Sequence, residues 1–479
     1  MELEEAFRSR GRTSGGGGGC SAGGPDRLSA LPDCLIHVIM SFMKSRQAVQ
    51  TCVLSRRWRY LWHSVPCLDI GFDEFKKTLC ASGDSFGTGG NDNSGFNDNN
   101  KHKDKDEYKD WENFEDFAVN MMLSCNIAQL DSFRLRVDGS RAPEFSNRQI
   151  AGWLRRAMKY CTLDPVSQRK GLSSGYWRLK RLHLCQVPLD NRFMKHVGSV
   201  CHSLEDLELD SCTCEIQSIT SNSLKNLVLK DCRWHKLSDI TSPTLKTLVI
   251  DNGLNGDTCL LAILAPAISN LHLDVFVDDF SGGISINKVS SLAKASIILK
   301  GHIYERTASK LCGNQFKLLC SISNAISLVL AGVGTTVLGE ESRFQEFKNL
   351  RNLLLDNCDL SDNFRTLVFF LKSSSNLEKL TLQHCMVYCS LVFNLLNQHS
   401  SSSYIFLCFP QFPKYSKEII KTPIPNKTSS SEFRGLDLLC ENLKVEIIYG
   451  YGYGPHLIQL LLRISVNLSK NNIKLTRVK

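Results

Sequence analysis

The chain has 479 residues, a formal charge of +9 and 20 cysteines, with 42% of its residues hydrophobic. That length suits two or three domains, or one small domain and a repeat array. The positive surplus lacks the dense, aromatic-rich patch a nucleic-acid surface needs. No apolar run reaches the roughly 18 residues of a membrane span, and many cysteines without a secretory signal point to free thiols in a reducing compartment. A cytoplasmic and/or nuclear location is expected.

Residues 1–25, with Gly15 to Gly19 unbroken, lack the apolar content for a core and are expected to be disordered. Residues 26–62 open the structured part. Pro32 marks a helix start, and Leu35, Val38, Ile39 and Phe42 then make one apolar face while Ile36, Met40 and Met43 make a second. Only His37 and Ser41 remain as a polar stripe. A unit of about 40 residues cannot cover both faces, so the leftover face is expected to be a partner site. A second amphipathic stretch (Gln47, Ala48, Val49, Cys52, Val53) follows. A third places Trp58, Leu61 and Trp62 at helical spacing, with Arg56, Arg57 and Arg59 turned elsewhere. From residues alone, a small helical bundle packed against the rest of this chain is the other reading.

The stretch resembles an F-box in the form common in plant F-box proteins. The match runs through Asp26-Arg27-Leu28-Ser29, Leu31-Pro32-Asp33 and the run from Val53 to Trp62; Ile36, Met40 and Met43 stand where leucine is usual. The resemblance implies docking to a Skp-type adaptor and, through it, to a cullin and a RING protein. It puts Leu31, Pro32, Leu35, Ile39, Phe42, Val49, Val53, Trp58 and Leu61 at the adaptor contact.

Cys67 to Ile70 reads as a short strand, and the glycine-, asparagine- and charge-rich residues 81–110 as a flexible polar insert. Phe114, Phe117, Ala118, Met121 and Met122 mark an amphipathic helix. Ile150, Trp153, Leu154, Ala157 and Met158 mark another. From about residue 177 the pattern L-x-x-L-x-L recurs: Leu179/Leu182/Leu184, Leu204/Leu207/Leu209, Leu224/Leu227/Leu229, Leu245/Leu248/Ile250, Ile268/Leu271/Leu273. Weaker copies (Leu292/Ala295/Ile297, Ala325/Leu328/Leu330) precede strong ones at Leu350/Leu353/Leu355 and Leu377/Leu380/Leu382, and Leu130/Phe133/Leu135 is a possible earlier copy. This is the period of leucine-rich repeats, whose stacked strands form a curved parallel sheet over one continuous core. Cys212, Cys232, Cys358 and Cys385 each follow a last leucine by three residues, the family's buried Asn/Cys position.

Residues 400–432 read as a serine- and proline-rich loop. Residues 433–479, with a strand at Val445–Ile448, a glycine turn and a helix at Pro455–Ile464, resemble the FBD-like terminal unit of plant F-box/leucine-rich-repeat proteins and should cap the last repeat. The expected fold class is α/β: a short three-helix F-box at 26–65, then a leucine-rich-repeat horseshoe at 112–399 with leading helices, then the small strand–helix cap.

Between the leucines, outward residues should line the concave binding face. These are Arg181, His183, Asp206, Glu208, Asp210, Lys230, Asp251, Asp274 and Asp356. An acidic stripe there would favour a basic client segment, whereas solubility alone would also make these positions polar. Three motifs carry little. Gly171-Leu172-Ser173-Ser174-Gly175 lacks the strand–serine–helix setting of a hydrolase nucleophile. Gly450 to Gly454 has Pro455 where a dinucleotide turn needs glycine. Cys385 and Cys389 lack a second pair for zinc. No catalytic residue, metal or cofactor is expected. The reading is a non-catalytic, substrate-recognition subunit of an SCF-type ubiquitin ligase binding an unknown protein substrate; the alternative is a non-degradative intracellular recognition scaffold.

Overall fold

The computed structural model describes residues 30–76, 98–138, 146–158, 179–256, 259–276, 278–287, 289–300, 318–332, 346–358, 360, 365–385, 443–449 and 472–477. Of the flexible insert expected at 81–110, residues 81–97 lie outside the described residues, while residues 98–110 are helical and begin α3, Asp98–Ser124. Once the apolar half from Trp111 onward is packed, each added residue gains a backbone hydrogen bond without a new nucleation cost. The proposed disordered start, the 400–432 loop, the Pro455–Ile464 helix, Gly171–Gly175, Gly450–Gly454 and Cys389 lie outside the described residues.

The N-terminal unit has two α-helices, α1 (Asp33–Met40) and α2 (Ser45–Gln50), the latter prolonged by a 3-10 turn at Thr51–Val53. The third segment is a series of turns ending in a 3-10 turn, Leu61–Ser64, not an α-helix. Arg57 stitches it back, donating to the Asp33 carboxylate at 2.9 Å and to the Leu31 carbonyl.

The described chain then builds one parallel sheet of 13 strands. In order they are β1 (Cys67–Gly71), β2 (Ser132–Arg136), β3 (Arg181–Cys185), β4 (Asp206–Asp210), β5 (Asn226–Lys230), β6 (Thr247–Asp251), β7 (Asn270–Phe276), β8 (Lys294–Lys300), β9 (Ser327–Ala331), β10 (Asn352–Asp356), β11 (Lys379–Gln383), β12 (Lys444–Tyr449) and β13 (Ile473–Arg477). Every neighbour in space is the next strand in this series, as in a solenoid. The repeat leucines point inward: Leu182, Leu207, Leu227, Leu248, Leu328, Leu353 and Leu380 are all buried and pack in one cluster. Both weak copies form strands. The sheet also overruns the expected 112–399 span, because Val65, Leu68 and Ile70 fill the leucine positions of a first copy and β12 and β13 extend it at the far end.

The opposite wall changes with repeat length. Long connections hold helices: α3, α4 (Ser146–Ala157), α5 (Asn191–Val200) and α6 (Arg365–Ser373). Phe72, Trp111, Phe114 and Trp153 pack edge-on or tilted there, with Phe114 and Trp153 centroids 5.8 Å apart. Asp206, Asn226, Thr247 and Asn270 follow one another at steps of 20, 21 and 23 residues, too few for a strand, a helix and two turns. Two narrow parallel four-stranded sheets stand there instead.

Among the described residues the turns after β3, β4, β5, β6, β9, β10 and β11 use the left-handed region, at Gln186, Ser211, Asp231, Asn252, Gly332, Asn357 and His384. A non-glycine residue there costs ~1–2 kcal/mol. The offset is repeated: Ser211 N–H donates to Lys230 O and Asp231 N–H to Asp251 O, each at 2.8 Å, and Asn357 N–H to Gln383 O at 2.9 Å. The four repeat cysteines follow these turns. Cys212, Cys232, Cys358 and Cys385 are buried, each thiol 3.4–3.5 Å from a carbonyl of the preceding repeat. Their packing role matches the sequence reading, and no group of three metal-ligating side chains occurs among the described residues.

Candidate binding surfaces

Helix α1 divides its two apolar faces as its periodicity requires. Ile36 and Met40 are fully buried against Trp58 and Val65, with Leu31, Met43, Leu61 and Trp62 around them. The other face is open: Leu35, Val38 and Ile39 are half exposed and Phe42 is 86% exposed. Val53, Leu54 and Tyr60 are exposed on the following segment. Seven of the fifteen exposed large hydrophobic residues described thus fall between positions 35 and 60. Such concentration on one small unit makes this face the candidate binding surface, because scattered exposure is the ordinary state.

Of the expected contact residues, Leu35, Ile39, Phe42, Val53 and Pro32 are exposed, whereas Leu31, Val49 and Leu61 are partly covered. Trp58 is the correction: at 5% exposure it closes the core beneath α1 and presents no free surface. Val38, Leu54 and Tyr60 were not among the residues that the F-box resemblance puts at the contact. The signal for Val38 was its place between Leu35 and Phe42 on the same helical face.

This unit is locked to the sheet. Ser45 Oγ, at the start of α2, accepts from the Asp69 N–H of the edge strand β1 at 2.9 Å. Lys44 pairs with Asp73, and Arg46 donates to the Glu74 carbonyl. Burial alone would raise the Asp73 carboxyl, but Lys44 and Arg136 outweigh it and hold it below its ordinary value. At the far end of α3, Asn126 N–H donates to His63 O, and His63 Nδ1 donates to Ser124 O, both at 2.8 Å.

All nine residues expected on the concave face occupy outward positions of the sheet. They do not form an unbroken acidic stripe. Asp69 takes Arg136 at 2.9 Å and Arg134 at 3.3 Å; Arg134 also reaches His183 at 3.2 Å. Glu208 lies between His183 at 3.2 Å and Lys230 at 2.8 Å. Burial opposes ionisation of Glu208, yet Lys230 and His183 hold its carboxyl below the ordinary value. Burial pushes His183 down despite the pull of Glu208. Asp206 accepts from Asn226 at 2.5 Å, Asp274 holds Lys300 at 2.7 Å, and Asp356 faces His384 at 3.4 Å. Lys230 also interrupts the row by standing in register between Asp210 and Asp251.

Residues 28–69 match the F-box domain model, and residues 136–272 match the model for the repeats of the FBD-associated F-box protein At5g56370. Over 402 residues the chain is 30% identical to the meiotic F-box protein MOF of Oryza sativa subsp. japonica, covering 75% of this chain and 72% of that protein. The chain belongs to the plant F-box/FBD/LRR-repeat family. It is also 25% identical over 397 residues to the F-box/FBD/LRR-repeat protein At5g22660 of Arabidopsis thaliana, covering 76% of this chain and 81% of the relative. A second Arabidopsis thaliana relative, F-box/FBD/LRR-repeat protein At1g78750, is 23% identical over 466 residues and covered to 87% in both chains. No solved structure matches the chain. The F-box match ends inside β1, so the F-box and the first repeat share a strand. No helix among the described residues is long and apolar enough to cross a membrane.

Proposed function

We propose that this chain is the substrate-recognition subunit of an SCF-type ubiquitin ligase. Its F-box docks a Skp-type adaptor, which brings the cullin and RING protein, and its concave face holds a client for ubiquitination and proteasomal degradation. The chain itself supplies no reacting group. It raises the effective concentration of the client beside the conjugating enzyme.

The observation that carries this reading is the exposed apolar set on the F-box. Leu35, Val38, Ile39 and Phe42 form the centre of the adaptor contact, joined by Val53, Leu54 and Tyr60, with Pro32, Leu31, Val49 and Leu61 beside them. Trp58 supports the contact from below. The lock between F-box and sheet means that adaptor and client are held at a fixed separation rather than on a hinge.

The test is co-purification of adaptor and cullin with the tagged full-length chain, beside the Phe42→Asp and Val53→Asp variants. The native chain should retain both partners and each variant should lose both. Retention of the adaptor without the cullin would favour a non-degradative scaffold. Absence of the adaptor from the native chain would overturn the proposal.

A further inference from the structure

Across six consecutive strands the outward residue at mid-strand is Val228, Val249, His272, Ser296, Val329 and Leu354. All six are partly exposed. At ~4.8 Å per strand the strip is roughly 24 Å long. Both ends are closed by charges that satisfy each other. On one side stands the run from Asp69 through Arg134 and His183 to Glu208. On the other, Glu446 lies 3.3 Å from Lys379 and 2.9 Å from Lys474. A charged partner would have to break such pairs before using them.

The border along the strand ends is different. Lys230 is drawn to Glu208, and Lys300 to Asp274. Asp210 accepts from the Ser211 hydroxyl at 2.8 Å. Among the described residues Asp251 makes no ion pair, although Lys230 beside it in register also feels its charge, and Asp356 has only the His384 ring. These two carboxylates lie four strands apart, about 19 Å, on the same edge of the strip.

We infer that this strip is the client site, and that its occupant is a protein segment with apolar side chains between two basic clusters. The inference rests on the client-holding role proposed above and names the chemistry of the client. Val228, Val249, Val329 and Leu354 supply the apolar contact. Asp251 and Asp356 set its register and reject acidic flanks, and the same carboxylates oppose a phosphate backbone.

The test uses the full-length chain and three fluorescent synthetic peptides read by anisotropy: a leucine-rich centre with Lys-Arg ends, the same centre with Glu ends, and a serine-rich centre with Lys-Arg ends. The first should bind about tenfold or more tightly than either of the others. Val249→Asp should abolish that binding, with Leu354→Asp as the substitute should the first variant not fold. Asp251→Lys combined with Asp356→Lys should reverse the preference for peptide ends. Equal binding of the first two peptides, no binding of any, or a preference untouched by both apolar variants overturns the inference. So does self-association of the free chain that Val249→Asp relieves, which would give the strip to a second copy. Adaptor retention by the same proteins is read separately. Its loss with the peptide preference intact would count against the ligase reading alone.

Discussion

Ser45 Oγ and the Asp69 N–H, 2.9 Å apart, join the F-box to the repeat sheet. Asp69 lies on the edge strand, whose free N–H groups would otherwise stand open to pairing with another chain. Ser45 is 3% exposed, so water cannot replace its hydroxyl without local opening. Ser45→Ala should therefore destabilise the protein by about 1–3 kcal/mol, the cost of a buried unsatisfied donor. Denaturant unfolding measures the loss, and the Asp69 amide should exchange faster in the variant.

The turns after the strands make a second, signed prediction. Gly332 has φ +69° and its Cα faces the Leu299 carbonyl so closely that a Cβ has no room. Gly332→Ala should cost more than the ~1–2 kcal/mol of a left-handed alanine, because backbone must also move. Asn357 has φ 48° with no glycine to ease it, so Asn357→Gly should be close to neutral or stabilising. Thermal unfolding of the two variants should move in clearly different degrees.

Thiol chemistry should separate surface from repeat cysteines. Cys34 is exposed, whereas Cys212, Cys232 and Cys358 are buried. The hydrogen bond with Cys232 and burial push the Cys212 thiol up, and burial pushes Cys125 up to about 12, so neither supplies thiolate at neutral pH. In the native protein an alkylating reagent should modify Cys34 promptly and leave Cys212 and Cys125 intact until unfolding. Mass spectrometry of timed samples reads the order; early modification of Cys212 would contradict its placement.

Acid should weaken the fold in two stages. Burial holds His183 and His196 below their ordinary 6.5, so the unfolded chain binds more protons as pH falls through that value. Their stabilising contribution is complete above about pH 6.5 and is lost below it. Glu208 and Asp73 are held below their ordinary 4.5 and 3.8 by Lys230 and His183 and by Lys44 and Arg136, against the effect of burial. Their contribution is present above those values and is lost as pH falls further. Unfolding midpoints across this range should show both declines, and His183→Gln should shrink the first.

Much of this architecture is legible in the sequence. The L-x-x-L-x-L spacing located the repeat strands, because inward leucines must recur at period two within a strand and at the repeat length between strands. The two faces of α1 were legible for a similar reason. Trp58 was not: an aromatic among arginines has the composition of a hot spot, and only packing shows that its ring closes the core under Ile36 and Met40. The two- to four-residue strands of the outer wall are too short to carry a readable period. The first repeat was hidden because its strand closes the F-box and α3 separates it from the next copy. A serine or threonine before the repeat leucine was an unused signal: Ser223, Thr244 and Ser291 each donate at 2.8 Å to a carbonyl of the previous repeat.

The most direct test of the central claim is calorimetric titration of the full-length chain with a purified Skp-type adaptor. The exposed set around Phe42 predicts saturable one-to-one binding with a negative heat-capacity change, lost in Phe42→Asp at unchanged thermal stability. A folded native chain that gives no binding signal, or a Phe42→Asp variant that binds as the native chain does, would contradict the account.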